Sequence, residues 1–519
     1  MLPYLGNDTV REVKRVNFTH KLLAFFKGDK NTPSRSNPAN VTTKPQTKTE
    51  LTLERLQEAF EDIHDATLQE ITNDAAQITL FYIESLIDVD KMQSNIIGPL
   101  LLKPNARMED TILANEIRGL ETLEEAVESV LQGYVVLFDG ARALAANTPN
   151  TLSRSIEQSE QEHIVYGPKD SLSELLEQNL TLVRRRLPTT SLKSRIYTVG
   201  SLSKTSVAVL YMDGITNPDI LEIAFDKTSK ADYDTILDSS HLRAYLEDHM
   251  HSVFPQLQQT DRPDVIAAAL TSGKIVWLVA NTPFALIGPI TFFDLFQSPE
   301  DYIHRWMIGT FLRTLRFAAF FLAIVLTPLY VALTMHHYNS IPLEILYMLL
   351  ESRSTVAFSP MWEATFMILT TEILKEASLR MPSKLGQTLG IVGGIVIGQA
   401  AVQAGFASNI LIIHIAIAAI ASFLVPNYLM TNSSKLIQLA LLFLAAWIGM
   451  WGILFGIVCM AIHLNRLTSL QQPYLAPLIP FIWKDWKDTL FRLPITVMNE
   501  RPAWLRPVQR NRKGENRRS

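Results

Sequence analysis

The residues that could do chemistry are few and scattered. The sequence has no Walker A loop, no G-x-G-x-x-G after a strand, no H-E-x-x-H and no G-x-S-x-G. His249 and His251 beside Asp248 come nearest to a metal site, but no third histidine or cysteine is clustered with them, so a solvated loop is favoured. We therefore expect no enzyme activity, no metal and no cofactor.

The most informative polar pattern lies in an apolar stretch, PSKLGQTLGIVGGIVIGQAAVQAGF. At about 100° per residue, one stripe of such a helix carries two polar and three branched aliphatic residues, and a different side carries a glycine ridge. The stripe is Thr388, Val392, Ile395, Gln399 and Val402, and the ridge is Gly390, Gly394 and Gly398.

Two interpretations of this stretch remain open. If several copies formed a ring, the stripe would line a pore with aliphatic constrictions between polar rings, and the ridge would pack closely against another helix. Alternatively, the stretch is a tightly packed helix of a bundle with two satisfied polar groups. Physical arguments alone favour the second interpretation.

The elements that must position these residues are membrane-spanning helices. From about Phe317 to Leu464, long apolar runs carry few charges, and four of them approach or exceed the roughly 20 residues that cross a bilayer. A fifth contains four charged residues, which are unfavourable in mid-bilayer unless they face a partner or water. The four runs are Phe317–Met335, Leu385–Phe406, Ile410–Val425 and Leu436–Leu464, and the fifth is Phe358–Ala377.

The charges that flank these runs predict the orientation. Three arginines precede the first run and the chain ends in QRNRKGENRRS, so both ends should be cytoplasmic, which requires an even number of crossings. The five candidates give an odd number. Either Phe358–Ala377 lies in the interface or lines a cavity, or an additional re-entrant piece lies near Pro283–Phe296.

The part before the apolar runs contains two similar blocks. In each, a strand-like run ends in an acidic residue, Asp88 or Asp213, and leads to a helical stretch. Each block closes with a Gly-led strand that ends in Asn-Thr-Pro, at residues 147–149 and 281–283. We predict two related α/β subdomains.

A run of arginines, LVRRRLP with Arg184, Arg185 and Arg186, lies between the two blocks. Contact with acidic lipid or with a neighbouring subunit is one interpretation. A solvated helix end whose charges suit the helix dipole is the other, and it is favoured.

Composition sets the remaining limits. The formal net charge of −4 gives no nucleic-acid type of basicity, Cys459 is the single cysteine, and the N-terminus lacks an export signal. The predicted fold is a multi-domain membrane protein, with two cytoplasmic α/β subdomains before an all-α transmembrane helix bundle. The predicted limits are a disordered arm at 1–50, subdomains at 51–160 and 161–300, the bundle at 301–465 and a basic cytoplasmic tail at 466–519.

The order of motifs also resembles a known family. GPKDSLSELLEQNLTLVRRRL, TVGSLSKTSVAVLYMDGITNP, SVFPQLQQTDRPD, TPFALIGPITFFDLFQSPEDYIHR, TPLYVAL, IVGGIVIGQAAVQAG, IASFLVPNY and PYLAPLIPF together resemble the A subunit of GerA-type spore germinant receptors. The resemblance runs in order from about residue 75 to 490. So many collinear motifs make it specific.

The resemblance implies an A subunit in the inner membrane of a spore, with its soluble domains towards the cytoplasm or spore core. Its implied partners are a transporter-like B subunit that senses the nutrient, a lipoprotein C subunit, further copies of itself forming a pentamer, and membrane lipid, but no nucleic acid. The implied activity is a nutrient-gated channel for monovalent cations, and it strengthens the pore interpretation of Thr388 to Val402.

One departure and one alternative accompany the resemblance. Family members often carry Asp-Gly before the Thr-Pro-Phe of the second block, where this chain has Ala280 and Asn281, whereas the first block keeps Asp139 and Gly140. The alternative function is that of a stage V sporulation AF-type paralogue, which amplifies germination without a nutrient-sensing partner. The stretch ESLIDVDKM is more similar to the receptor type.

Overall fold

The structure is a computed structural model that describes residues 51–72, 77–102, 108–140, 142–150 and 166–512. In one helix, Ser383–Gln403, the side chains of residues 383–385, 387–389, 391 and 392 also fall outside what is described. The predicted arm at 1–50 and the end of the predicted tail lie outside the described residues.

The first part of the chain forms a five-stranded antiparallel sheet with the order β1-β2-β4-β5-β3. Its central strands β2 and β4 are nearly continuous apolar runs whose successive side chains point to opposite faces, so both faces are buried. Its elements are α1 (Leu53–Ala59), β1 (Ala66–Thr72), β2 (Gln77–Ile83), α2 (Val89–Met92), α3 (Gly98–Leu102), α4 (Met108–Thr111), β3 (Ile117–Leu120), α5 (Leu123–Leu131), β4 (Tyr134–Asp139) and β5 (Arg142–Asn147).

The second part forms another five-stranded antiparallel sheet with the equivalent order, β6-β7-β9-β10-β8. The two similar blocks of the sequence therefore correspond to two sheets of one topology. The elements are α6 (Leu176–Arg186), β6 (Leu192–Val199), β7 (Thr205–Met212), α7 (Pro218–Ser229), α8 (Ser239–Leu246), β8 (Gln258–Thr260), α9 (Pro263–Ser272), β9 (Ile275–Val279) and β10 (Ala285–Gly288).

Helices cover both faces of the second sheet. Alternate residues of β7 point to opposite sides, so Leu210 packs in one core with α6 and α9, and Val209 packs in the other with α7 and α8. Trp277 is completely buried, and its indole N–H donates a 2.8 Å hydrogen bond to Thr228 Oγ1. The second sheet and its helices thus form a complete hydrophobic core within one chain.

A buried ion pair joins the two sheets. Arg184, at the end of α6, donates from Nη2 and Nε to the two oxygens of Asp65 at 2.5 and 2.9 Å, and Ser85 Oγ donates to the same carboxylate at 2.5 Å. The neighbouring Arg185 donates to the Asn150 carbonyl and Arg186 binds Asp170. All three predicted arginines bind within the chain, and Arg184 is buried, so the favoured solvated helix end is wrong for this residue.

The rest of the chain up to Arg466 is helical. The helix α11 is 30 residues long and α16 is 21, and by length and composition these two described helices could cross a membrane, while α15 and α17 are shorter apolar helices. The bounds are α10 (Glu300–Ile303), α11 (Trp306–Met335), α12 (Leu343–Arg353), α13 (Pro360–Leu379), α14 (Ser383–Gln403), α15 (Asn409–Phe423), α16 (Tyr428–Ile448) and α17 (Met450–Arg466).

Six of these helices alternate in direction. At one end, Tyr330 Oη lies 3.1 Å from Ser408 Oγ, and His336 Nε2 lies 2.8 Å from the Ala446 carbonyl oxygen. At the other end, His463 bonds Ser252 of the sheet region at 2.9 Å. The chain therefore runs through α11, α13, α14, α15, α16 and α17, and it enters and leaves the helical region at the end that faces the sheets.

Two expectations about the apolar runs are wrong. The run Leu436–Leu464 is divided into α16 and α17 by Gly449, whose φ of +70° turns the chain back on itself. Residues Pro283–Phe296 are no re-entrant piece, because they contain strand β10 of the second sheet and a buried 3₁₀ turn, Phe292–Phe296. With the division at Gly449, the number of alternating helices is six, an even number.

The segment after Arg466, predicted as a basic tail, is packed in the structure as far as residue 512. It contains β11 (Thr468–Ser469) and β12 (Gln472–Pro473), and it continues with 3₁₀ turns at Trp483–Lys487 and Ala503–Leu505. Tyr474 is completely buried and donates a 2.6 Å hydrogen bond to the Pro255 carbonyl. The segment returns to the second sheet, where the Val508 N–H donates to the Ile215 carbonyl at 3.0 Å.

Candidate functional site

The helix α14 holds the predicted pore stripe, and among the residues that the structure describes its main neighbour is α13. Its glycines allow the backbone to approach α13, because a Cβ at Gly386 would lie 2.6 Å from the Ser378 carbonyl oxygen and a Cβ at Gly393 2.9 Å from a Leu374 methyl group. A Cβ at Gly390 would lie 3.9 Å from Ser378 Oγ of the same helix, α13. The contact with α13 therefore follows positions 386, 390 and 393.

The predicted stripe lies on the opposite side of α14. At about 100° per residue, residues 388, 392, 395, 399 and 402 centre roughly 180–200° away from the glycines that touch α13. Ile395 is 56% exposed, Gln399 is exposed and Val402 is half-buried. The side chains of Thr388 and Val392 lie outside what the structure describes, although both positions belong to the helix.

The predicted glycine ridge is only partly used within the chain. A Cβ added at Gly394 or Gly398 would meet nothing within 4 Å, whereas Gly390 faces α13. The glycines of α14 that contact α13 therefore include Gly386 and Gly393, which were not part of the predicted ridge. Gly394 and Gly398 thus flank the open side of the helix, and their packing role stays a prediction about a second chain.

The charged residues of α13 have partners within the chain, some buried and some exposed. Glu363, at the start of α13, is fully buried and accepts hydrogen bonds of 2.6 Å from Arg353 Nη1 and from the Ser408 backbone N–H. In the other half of α13, Glu372 binds Lys435 of α16 at 3.2 Å. The charges that made Phe358–Ala377 a doubtful span thus have partners, as a low-dielectric environment requires.

A buried charge network fixes the first turns of α11 to the rest of the chain. Asp301 is fully buried and binds Arg313 at 3.1 Å and Arg316 at 2.6 Å. Arg313 also binds Asp488 of the C-terminal segment at 3.1 Å, and Arg492 donates to the His304 carbonyl at 3.0 Å. Arg313 and Arg316, two of the three arginines predicted as topological markers, are therefore internal, and their partners hold three segments together. The third, Arg305, is exposed.

Aromatic residues seal the same junction. Phe292, Phe293 and Phe296 of the sheet region pack against Phe317 and Phe320 of α11, with ring centroids 5.3 to 6.4 Å apart. All except Phe317 are almost completely buried. This cluster packs the N-terminal half of α11 tightly against the 3₁₀ turn that follows the second sheet.

An apolar cavity of about 250 Å³ lies between α11, α12 and α15. Tyr330 and His414 line it, with ring centroids 5.1 Å apart, and Leu329, Ile341 and Leu349 supply apolar walls. The His414 Nδ1 bonds the Ile410 carbonyl at 2.7 Å, and Tyr330 bonds Ser408, so both polar side chains already have partners.

The histidine candidates have ordinary structural partners. Asp248 accepts hydrogen bonds from Lys227 at 2.6 Å and from Thr468 at 2.5 Å, and His249 Nε2 lies 3.4 Å from Thr468 Oγ1. Burial opposes ionisation of Asp248, but the hydrogen bonds from Lys227 and Thr468 outweigh it and lower the pKa of this carboxyl. Among the described residues no group of His, Cys, Asp and Glu could hold a metal ion.

The residue at the departure from the family pattern has a physical explanation. Asn281 follows β9 with a φ of +64°, and Gly140 follows β4 with a φ of +60°, so both turns need the left-handed conformation. Asparagine tolerates this conformation better than most residues other than glycine. The second turn therefore keeps the geometry without the glycine.

Asp65, Asp301 and Asp488 were missed by sequence reasoning, whereas Glu363 was among the charges expected to need a partner. Asp65 is 119 positions from Arg184, and Arg313 is 175 positions from Asp488. No local spacing connects such pairs. The one usable indication was the three arginines directly before an apolar run. They predicted which side of the membrane this end of the helix faces, but they gave no information about buried partners.

Comparison with known proteins gives a consistent result. Residues 54–504 match the family described as Bacillus/Clostridium GerA spore germination protein. The chain is similar to spore germination protein GerQA of Bacillus cereus, at 38% identity over 89% of this chain and 93% of that protein, and to spore germination protein KA of Bacillus subtilis, at 33% identity over 88% and 86%.

Among solved structures, the chain is similar to the N-terminal domain of the A subunit of the Bacillus megaterium spore germinant receptor GerK3. The two share 24% sequence identity with a TM-score of 0.36, and the match covers 48% of this chain and 99% of that one.

Proposed function

The chain belongs to the GerA family of spore germination proteins, and from this premise we propose that it is the A subunit of a nutrient germinant receptor. Several copies, five by the family resemblance, assemble into a channel that releases monovalent cations when nutrient is sensed. A transporter-like B subunit senses the nutrient and a lipoprotein C subunit completes the receptor. The protein is no enzyme in this proposal, and it needs no cofactor.

The proposed location is the spore inner membrane, with the two sheets in the cytoplasm or spore core. Six alternating helices bring both ends of the helical region to one side, and α11 and α16 are long and apolar enough to cross. The domain limits that go with this placement are an arm at 1–50, sheets at 51–160 and 161–300, a membrane bundle at 301–465 and a C-terminal region at 466–519.

The observation that carries the channel proposal is the open face of α14. This helix packs on α13 through Gly386, Gly390 and Gly393, and its opposite side presents Ile395 and Gln399 outside the chain's own packing. An exposed glutamine in an apolar helix is unfavourable in lipid, whereas it is favourable beside water in a pore. A ring of copies around α14 supplies that environment.

The pore mechanism follows from the composition of the stripe. Rings of Val392 and Ile395 would form an aliphatic constriction that stays dry when narrow, and Thr388 and Gln399 would hold water on either side of it. A small outward movement of α14 would wet the constriction and let ions pass. The stripe contains no charged residue, so discrimination between K⁺ and Na⁺ should be weak.

The experiment that tests the proposal removes the constriction. Ile395→Ala, and separately Val392→Ala, should lower the dewetting barrier, so spores should release monovalent cations without nutrient or at a lower nutrient concentration. Cation release is followed by flame photometry or ion-selective electrode on purified spores, with equal protein levels checked by immunoblot.

Ile420→Ala is the matched control, because Ile420 is an isoleucine of α15 that is 66% exposed but lies outside the stripe. Its release should equal that of the wild type. If both stripe variants accumulate normally and release cations like Ile420→Ala, then α14 is not the pore helix.

A further inference from the structure

The C-terminal segment exposes an unusual number of large apolar side chains. Trp483 is 76% exposed, Phe481 63%, Ile495 62% and Phe491 54%. Isolated exposed apolar residues are normal, but these four lie within fifteen positions of one folded segment, and the ring centroids of Phe481 and Trp483 are 6.1 Å apart. We call these four residues the C-terminal apolar rim.

The rim is held in place by polar anchors on its inner side. Asp485 accepts hydrogen bonds from the backbone N–H groups of Ala503 and Trp504 at 2.9 and 3.0 Å. The Arg492 backbone N–H donates to Thr310 Oγ1 at 3.1 Å, and Asp488 binds Arg313. The apolar side chains therefore project from a fixed turn, and their exposure is a property of the fold.

The anchors fix the level of the rim relative to the apolar helices. The apolar run Phe317–Met335 spans about 28 Å at about 1.5 Å per residue, which matches a hydrocarbon core of about 30 Å. Arg313 lies four residues before this run, about 6 Å along the axis, and this is within the headgroup layer. Asp488, which binds Arg313, brings the rim to the same level.

The first turns of α11 add to the same surface. Met307 is 62% exposed and Phe311 64%, and Thr310 between them contacts Arg492 of the C-terminal segment. Lys484 and Lys487 belong to the same 3₁₀ turn as Trp483, and both are exposed. Tryptophan and phenylalanine with neighbouring lysines are the composition that binds the boundary between acyl chains and anionic headgroups.

We propose that the C-terminal apolar rim, with Met307 and Phe311, is a membrane-interface anchor that inserts into the cytoplasmic leaflet around the base of α11. The inference rests on the membrane placement proposed above and adds a lipid-binding role for a segment outside the helices. The anchor and the Asp301 network both hold the first turns of α11. A rotation of the sheet region would therefore also move the C-terminal apolar rim within the headgroup layer.

The test measures where the rim lies in the bilayer. Single cysteines replace Trp483, Phe491 or Ile495 in the full chain carrying Cys459→Ser, and each is spin-labelled after reconstitution into vesicles of phosphatidylglycerol and phosphatidylethanolamine. Electron paramagnetic resonance then compares collision with oxygen, which is soluble in lipid, and with a nickel chelate, which is soluble in water.

Two matched positions calibrate the measurement. Leu322→Cys replaces a leucine of the apolar run of α11 that is 43% exposed, and Leu202→Cys replaces a leucine in the turn between β6 and β7 that is 73% exposed. The three rim positions should give oxygen-to-nickel ratios between those of the two controls and closer to Leu322. Each variant must keep the wild-type unfolding temperature.

The possible outcomes separate the two proposals. If the rim positions resemble Leu202 while Leu322 reports lipid, the anchor is wrong and the membrane placement stands. If both reagents are excluded from the rim, a protein partner covers it, which also overturns the lipid assignment. If Leu322 itself resembles Leu202, then the membrane placement fails, and the anchor fails with it.

Discussion

In the second sheet Trp277 is completely buried with helices on both faces, whereas the helical region leaves Trp447 78% exposed, Trp451 69% and Ile395 56%. A soluble core covers its large apolar residues because their burial drives folding. The sheets are thus complete in one chain. The helical region needs another environment around it, and we propose lipid on its outside and further copies along α14.

The comparison divides substitutions into two groups. Changes in the sheets or at the buried junctions should act on the free energy of unfolding of the single chain. Changes on the open helical faces should leave that free energy nearly unchanged and act on assembly or ion release. The predictions below follow in order of the expected change in stability.

Asp301→Ala should have the largest effect. The substitution leaves Arg313 and Arg316 buried without their shared carboxylate, and removal of one partner of a buried pair destabilises by about 3–5 kcal/mol. The check is the unfolding temperature of the purified protein in mild detergent. Glu376→Ala is the control, because Glu376 binds Arg380 in an exposed pair and should be nearly neutral. Equal unfolding temperatures for the two variants would show that the Asp301 network is dispensable.

Asp65→Asn should destabilise the contact between the sheets, with a dependence on pH. Burial disfavours the charged form of Asp65, but Arg184 and the hydrogen bond from Ser85 outweigh it, so the pKa of this carboxyl lies below its ordinary value. A carboxyl whose pKa is lower in the folded than in the unfolded state stabilises the folded protein at pH values above its unfolded-state pKa, which is near 4. This stabilisation is lost as the pH falls through the folded-state pKa.

The free energy of unfolding of the wild type should therefore be larger than that of Asp65→Asn by about 1.5–3 kcal/mol at pH 7. This difference should become smaller below about pH 4. Unfolding in urea at pH 7 and at pH 3 measures both values. Asp226→Asn serves as the exposed comparison, since Asp226 pairs with Lys230 on the surface. A difference that stays constant with pH would mean that the charge of Asp65 contributes nothing.

Gly452→Ala should destabilise the hairpin of α16 and α17 by about 1–3 kcal/mol. A Cβ at this position would overlap the Leu444 carbonyl oxygen, and a backbone atom cannot move aside as a flexible side chain does. The unfolding temperature in detergent again provides the measurement. An unchanged value would indicate that the two helices lie farther apart than in the structure.

The sequence predicted those parts of the fold that depend on local pattern. Apolar strand-like runs and the repeated Asn-Thr-Pro predicted two related α/β units, and low charge predicted where the long helices lie. Gly449 was missed because a single glycine inside an apolar run is common in membrane helices. Its role depends on a φ of +70° and on the close approach of Gly452 to α16, which are properties of three-dimensional packing.

The candidate site was predictable in part for the same reason. The stripe on α14 follows from helical spacing, so residues 395, 399 and 402 do share a face. Which glycines touch a neighbour depends on how α13 is rotated against α14, and the sequence contains no information about that rotation. Asp65 and Asp488 pair with arginines 119 and 175 positions away in the chain, and such pairs follow from topology alone.

Gly398→Ala should change the stability of the single chain least. Nothing lies within 4 Å of a Cβ at this position, and alanine favours a helix over glycine by up to about 1 kcal/mol, so the unfolding temperature should stay equal or rise slightly. If the open side of α14 packs against a second copy, the added methyl group should nevertheless reduce the oligomer fraction, measured by light scattering in mild detergent, and alter nutrient-dependent cation release. Gly393→Ala is the control, because its methyl group would meet only the flexible end of Leu374 within the same chain. Normal assembly and normal release in Gly398→Ala would remove Gly398 from any interface between copies, and the open face of α14 would then have to be explained by lipid alone.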